Sequence, residues 1–288
     1  MTTIGPAVGT ATRNDGFVEG VGGLRLHFRT WEVPAAEAAL LVVPGLSDHG
    51  GRYARLAAHM AEHGLSTFAL DLRGHGASEG RRGYVRHFSC FLQDLDRFRR
   101  EVQGLVDPRC PLFLFGHSLG GLIALRYLQE FEAAIQGAIV SSPWLATAAV
   151  SHWKRVSAHI LSRVLPALPL PANVDPDTLS HDPQAVRRYR DDPAVHGIVT
   201  PRLFVEAERA AANVFDASDR LQGPLLLLLA DDDHLVDPAR AVELAEAIGD
   251  RTDVILNRYP GYYHEVWNEA DAGVVLEDVR GWITAHLA

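Results

Sequence analysis

The 288-residue sequence predicts an α/β fold, a mostly parallel sheet with helices on both faces, and three observations predict it. Short, nearly continuous apolar runs recur at 39–43, 67–70, 112–115, 138–140, 225–229 and 254–256. Runs of that kind suit strands buried on both faces. Helical apolar periodicity separates most of them, and that alternation is the mark of a covered parallel sheet. The rhythm then breaks between 144 and 218, which reads as an insertion.

Taken in order, residues 1–15 are expected to be an N-terminal tail. Leu24, Leu26 and Phe28 then alternate with Arg25, His27 and Arg29 behind the turn-like Gly22-Gly23, the pattern of a half-buried hairpin strand. Tyr53, Leu56 and Met60 form one helical stripe ending near Gly64, and Phe91, Leu92, Leu95, Phe98 and Val102 form another. A third follows Ser118 through Leu122 and Ile123. Asp237-Pro238 has the look of a cap followed by proline in the first helical turn, and Val275, Val279, Trp282 and Ile283 mark a C-terminal helix.

Inside the insertion, Val150, Trp153, Val156, Ile160 and Val164 repeat at helical spacing, Pro166, Pro169, Pro171 and Pro176 punctuate the chain, and Asp182-Pro183 and Thr200-Pro201 are further helix starts. The expected organisation is therefore a core over 16–143 and 219–288 with a helical cap over 144–218. Trp153, Ile160 and Val164 are the cap residues expected to bind substrate.

Composition narrows the partners. At 47% hydrophobic and 22% charged residues the chain is an ordinary globular protein, and a net charge of −9 without a stripe of Lys and Arg argues against nucleic acid. Cys90 and Cys110 lie in no metal or redox spacing and are expected to be free thiols. Residues 1–15 lack the basic start and apolar stretch of a secretory leader, and the run at 225–230 is far too short to span a bilayer, so a soluble, cytoplasmic protein is expected.

The chemistry is carried by Leu112-Phe113-Leu114-Phe115 running into Gly116-His117-Ser118-Leu119-Gly120-Gly121, which opens a helical pattern. Strand, G-x-S-x-G and helix together describe a tight turn that presents the Ser118 hydroxyl. A serine hydroxyl is a weak nucleophile at neutral pH, so it needs a base within reach and an acid to orient that base. The expected chain order is serine, acid, histidine. Asp231, Asp232 and Asp233 follow the run at 225–229, and one of them is the expected acid. His264 follows the last apolar run and is the expected base. A metal reading of the acidic cluster with His234 is disfavoured, because adjacent aspartates cannot all point at one ion.

The sequence resembles the monoacylglycerol lipase and lysophospholipase branch of the α/β-hydrolases, from about Phe17 to the C-terminus. The matching pieces are the stretch from Pro44-Gly45-Leu46-Ser47-Asp48 to Arg52-Tyr53, Asp71-Leu72-Arg73-Gly74-His75-Gly76-Ala77-Ser78, the turn at Ser118, and Tyr259-Pro260-Gly261-Tyr262-Tyr263-His264-Glu265. The resemblance implies the α/β-hydrolase fold with an inserted helical cap and selects Asp233 as the acid. It makes Asp237 a helix cap and Arg73 and His75 structural residues; His117, beside the nucleophile, is expected to be a packing and hydrogen-bonding residue rather than a second base. The backbone N–H groups of Leu46 and Leu119 are the expected oxyanion donors. Two departures stand out: Pro44 replaces the histidine that usually opens the oxyanion loop, and Ala230 replaces the glycine before the acid.

The implied reaction is hydrolysis of a small-molecule ester or lipid, monoacylglycerol or lysophospholipid, through an acyl-enzyme, with no cofactor and no metal. Thioesterase, amidase, peptidase or acyltransferase chemistry would use the same groups, and a catalytically idle ligand-binding protein is the non-enzyme alternative. Serine at the turn disfavours dehalogenases and epoxide hydrolases that use aspartate there. Transient contact of the cap with a membrane surface is also expected, although Lys154 and Arg155 alone make no basic anchoring face.

Overall fold

The computed structural model describes residues 11–287 except 133, 149 and 250. Its centre is an eight-stranded sheet of β1 (Thr12–Glu19), β2 (Arg25–Glu32), β3 (Ala38–Val43), β4 (Leu65–Leu70), β5 (Leu112–His117), β6 (Gly137–Ser141), β9 (Leu225–Ala230) and β10 (Val254–Tyr259). Their order is β1-β2-β4-β3-β5-β6-β9-β10. β1 and β2 form an antiparallel hairpin and β2 runs antiparallel to β4, while every pair from β4 to β10 is parallel. The apolar runs lie at the centre because they have no polar face to give to water: β3, β4, β5, β6 and β9 are buried at every position.

Alternate side chains feed two cores. Ala39, Leu41 and Val43 join α2 (Ser89–Leu105), α3 (Leu119–Glu130) and α7 (Pro238–Ile248) on one face. Leu40 and Val42 join α1 (Ala54–Glu62) and α8 (Gly273–Ala285) on the other. Each fully buried Leu or Phe contributes roughly 1.5–3 kcal/mol relative to exposure.

Between β6 and β9 the chain forms α4 (His152–Val164), β7 (Leu170–Pro171), α5 (Pro183–Asp191), β8 (Ile198–Val199) and α6 (Pro201–Asp216). Asp182, Thr200 and Asp237 cap their helices through their side chains, each ahead of a proline in the first turn. Leu203, Ala207, Ala210 and Val214 of α6 are part of the larger core, so this helix anchors the insertion to the body. Glu206 of α6 reinforces the join by accepting from the Phe88 N–H at 2.9 Å.

Two expectations are corrected. Thr12–Asp15 are not tail but the first half of β1, paired with Glu32–Arg29; residues 1–10 of that expected tail lie outside the described residues. The insertion also contains a strand pair, β7 with β8, too short to leave a pattern in the sequence. Among the described residues no helix is long and apolar enough to cross a membrane.

Candidate active site

The sharp turn after β5 is built by what its neighbours lack. A Cβ on Gly116 would stand 2.5 Å from the Gly120 carbonyl oxygen, and one on Gly120 would press into the carbonyls of Val43 and Pro44. The turn therefore closes with helix α3 drawn against the end of β3. Ser118 takes φ 52° and ψ −115°, a conformation costly to a non-glycine residue and held here by its surroundings. Its N–H donates to the Ser141 carbonyl at 3.0 Å, and its own carbonyl accepts from Leu122 at 3.1 Å and Trp144 at 3.0 Å.

Asp233 follows β9 and His264 follows β10, so both stand at the same carboxyl edge of the sheet as Ser118. His264 Nδ1 donates to Asp233 Oδ2 at 2.6 Å, while Asp233 Oδ1 accepts the N–H groups of Leu235 at 2.8 Å and Val236 at 3.0 Å. Ser142 Oγ donates to the His264 carbonyl at 3.0 Å and fixes its backbone. Burial opposes the His264 cation, but the Asp233 charge and hydrogen bond outweigh it, and the imidazole pKa lies above the ordinary value. Burial likewise opposes the Asp233 carboxylate, yet His264 and the two backbone donors carry its pKa below the usual range.

Ser118 and His264 line one small cavity of about 130 Å³, closed in part by Gly45, Leu46 and Val236. Leu119 is buried at the start of α3. Asp231, by contrast, turns outward to Arg258 at 2.8 Å. His117 lies against His264 with ring centroids 4.7 Å apart, and burial, followed by the neighbouring His264, lowers its pKa to about 3. It is a neutral wall at working pH.

Sequence reasoning missed the polar end of this cavity. Arg52 donates to both Glu265 oxygens at 2.7 Å and to Asp48 at 3.1 Å, Tyr53 donates to Asp48 at 2.9 Å, and the Tyr189 ring lies 4.7 Å from the guanidinium. All three charged groups line the cavity beside Ser118. Their only signal in the sequence is charge inside two glycine- and aromatic-rich segments 213 residues apart.

An apolar groove of about 680 Å³ continues outward, sharing Leu46, Trp144, Thr147, Ala172 and Leu235 with the inner cavity. The cap expectation is corrected here. Trp153 lines the groove together with Ser157, Ala158 and Leu161, but Ile160 and Val164 do not. They point to solvent, 58% and 70% exposed.

A strained serine on a strand-to-helix turn, with a buried histidine–aspartate pair at the same sheet edge, defines a serine hydrolase of the α/β-hydrolase fold. Residues 34–271 match the family described as serine aminopeptidase, S33, and the chain belongs to that family. It is 34% identical to a monoacylglycerol lipase of Mycolicibacterium smegmatis, over 96% of this chain and 99% of that one. It is 33% identical to a monoglyceride lipase of Rattus norvegicus, over 92% and 89%. Among solved structures, the Paleococcus ferrophilus monoacylglycerol lipase aligns with TM-score 0.82 and 29% identity over 91% of this chain and 99% of that one. A soluble variant of the Saccharomyces cerevisiae monoglyceride lipase shares the fold at TM-score 0.86 and 22% identity over 97% of each chain.

Proposed function

We propose that the protein hydrolyses monoacylglycerols and related carboxylic esters through an acyl-enzyme on Ser118. The observation that carries this reading is a cavity lined by Ser118 together with Asp48, Arg52 and Glu265, which shares Leu46, Trp144, Thr147, Ala172 and Leu235 with the apolar groove under α4. An ester of glycerol with a fatty acid has that same division, a hydroxylated alcohol on one side of the carbonyl and a hydrocarbon chain on the other. Two carboxylates against one guanidinium favour a neutral glycerol over the anionic head of a lysophospholipid. Similarity to monoacylglycerol lipases supports the same substrate class.

In the proposed cycle Asp233 holds the proton of His264 on Nδ1, which leaves the Nε2 lone pair free. Nε2 takes the Ser118 proton as Oγ attacks the ester carbonyl, then gives it to the departing glycerol oxygen. A water activated by the same nitrogen releases the fatty acid. The backbone N–H groups of Leu46 and Leu119 stabilise the oxyanion. Neither Pro44 nor Ala230 removes a group this cycle needs.

The outward stripe of α4, with Trp153 78%, Ile160 58% and Val164 70% exposed, rests on a lipid surface while substrate enters the groove. Free thiols at Cys90 and Cys110 suit a reducing cytoplasm. Fatty-acid release from monooleoylglycerol tests the reading: Ser118→Ala is expected to lower turnover by about 10⁵–10⁶. Comparable turnover in that variant, or release only from lysophospholipid, would overturn it.

A further inference from the structure

On the face of the molecule formed by α1 and α8, two histidines and a carboxylate converge without any role in the ester chemistry. His59 in the last turn of α1 and His63 at its C-terminal cap are four residues apart, so both imidazoles project from one side, with ring centroids 4.7 Å apart. Glu277 of α8 brings its carboxylate to 3.6 Å from His59 Nε2. One nitrogen from each histidine and a carboxylate oxygen all lie within 4.8 Å of one another.

The hydrogen bonding prepares these groups as ligands. His63 Nδ1 lies 2.9 Å from the His59 carbonyl, which only accepts, so Nδ1 carries the proton and the neutral ring keeps its lone pair on Nε2. That backbone bond is the outer support that metal-bound histidines have. His59 Nε2 is shielded from solvent and has no hydrogen-bond partner, the 3.6 Å to Glu277 being too long for one. The Glu277 carboxylate accepts hydrogen bonds from Arg280. Arg280 grips both oxygens and is the competitor an incoming ion meets.

We propose that His59, His63 and Glu277 form a surface site for a divalent transition-metal ion of the zinc class, which ties the C-terminal helix α8 to α1. Two imidazoles with one carboxylate select zinc, copper or nickel over magnesium or calcium, which prefer all-oxygen sets. Ligands about 2.0–2.1 Å from a tetrahedral ion stand about 3.3 Å apart. The His59–Glu277 approach is already close to this, and rotation of the exposed Glu277 and His63 side chains closes the rest. Arg280 then retains the carboxylate oxygen that the metal leaves, and water completes the coordination.

Calorimetric titration of ZnCl₂ into the intact protein, free of any histidine tag, tests the site. Because His264 is also an imidazole, the protein is first blocked at Ser118 with a fluorophosphonate. The expected result is one saturable site of micromolar affinity in blocked and unblocked protein alike, with a zinc-dependent rise in Tm. His63→Ala and, separately, Glu277→Gln should each weaken binding by about tenfold or more, with ester turnover unchanged. Copper(II) loaded in place of zinc should show two coordinated imidazole nitrogens by EPR, and one in His63→Ala. No saturable binding, unchanged affinity in either variant, or binding lost on blocking Ser118 would each overturn the proposal.

Discussion

Asp233 gives its two oxygens different partners: Oδ2 lies 2.6 Å from Nδ1 of His264, while Oδ1 accepts the N–H groups of Leu235 and Val236. The carboxylate is thus fixed by the chain that follows it and in turn fixes the imidazole. This arrangement raises the His264 pKa above 6.5, burial notwithstanding.

The acid limb of kcat/KM should therefore lie above pH 6.5, because only neutral His264 accepts the Ser118 proton and activity is lost as pH falls through the raised value. Asp233→Asn removes the charge that raises it. The limb should move to lower pH, and turnover should fall by about 10⁴ as the tautomer is lost. A pH–rate profile on a soluble p-nitrophenyl ester measures both, and an unmoved limb would count against the pairing.

Gly120→Ala should disturb the turn more than an exposed glycine substitution, since the new methyl meets the backbone carbonyls of Val43 and Pro44. Overpacking of this kind costs about 1–3 kcal/mol, and a shift of the Ser118 backbone by about 1 Å is enough to lower turnover by about a hundredfold. Gly273→Ala, where a Cβ meets nothing within 4 Å, is the control. Denaturant melts alongside ester assays separate the two effects.

Breaking the buried Arg52–Glu265 pair should be costly in its own right. Burial opposes the Glu265 charge, but the Arg52 guanidinium and its hydrogen bonds prevail and lower the carboxyl pKa. Glu265→Ala removes two hydrogen bonds from the buried Arg52 cation and leaves Asp48 as its carboxylate partner, a loss of up to about 3 kcal/mol at neutral pH. A depressed carboxyl pKa contributes stability above its unfolded value near 4.5, and that contribution is lost as pH falls through the lower folded one. The gap between wild type and variant should therefore narrow in acid, and melts across that range are the measurement.

Much of this was legible in the chain because the signals are local. A strand buried on both faces must be apolar throughout, so β3, β5 and β9 announce themselves, and Gly116 is demanded by contacts a few residues away at Gly120 and Ala124, whereas Gly120 answers to the distant Val43 and Pro44. The resemblance singled out Asp233 among three adjacent aspartates. What stayed hidden depends on distant chain. Arg52 and Glu265 carry no local pattern that joins them, and β1 extends through Thr12–Asp15 only because β2 lies beside it. On α4, apolar periodicity specifies a stripe but not what covers it; Ile160 and Val164 belong to the uncovered side.

That division of α4 separates two roles that act on one reaction. Ala158 and Leu161 face the groove, whereas Ile160 and Val164 face outward. Ala158→Trp should fill the groove and lower kcat/KM for oleoyl esters far more than for acetyl esters, since each methylene denied burial forfeits about 0.8 kcal/mol. Acetate needs only the inner cavity around Ser118 and should be spared. Ile160→Ser with Val164→Ser should leave both soluble esters alone and reduce only flotation with phosphatidylcholine vesicles and turnover of vesicle-borne substrate. If the outward pair instead changes chain-length preference on monomeric esters, the stripe reaches the acyl chain after all, and the groove beneath α4 is not its path.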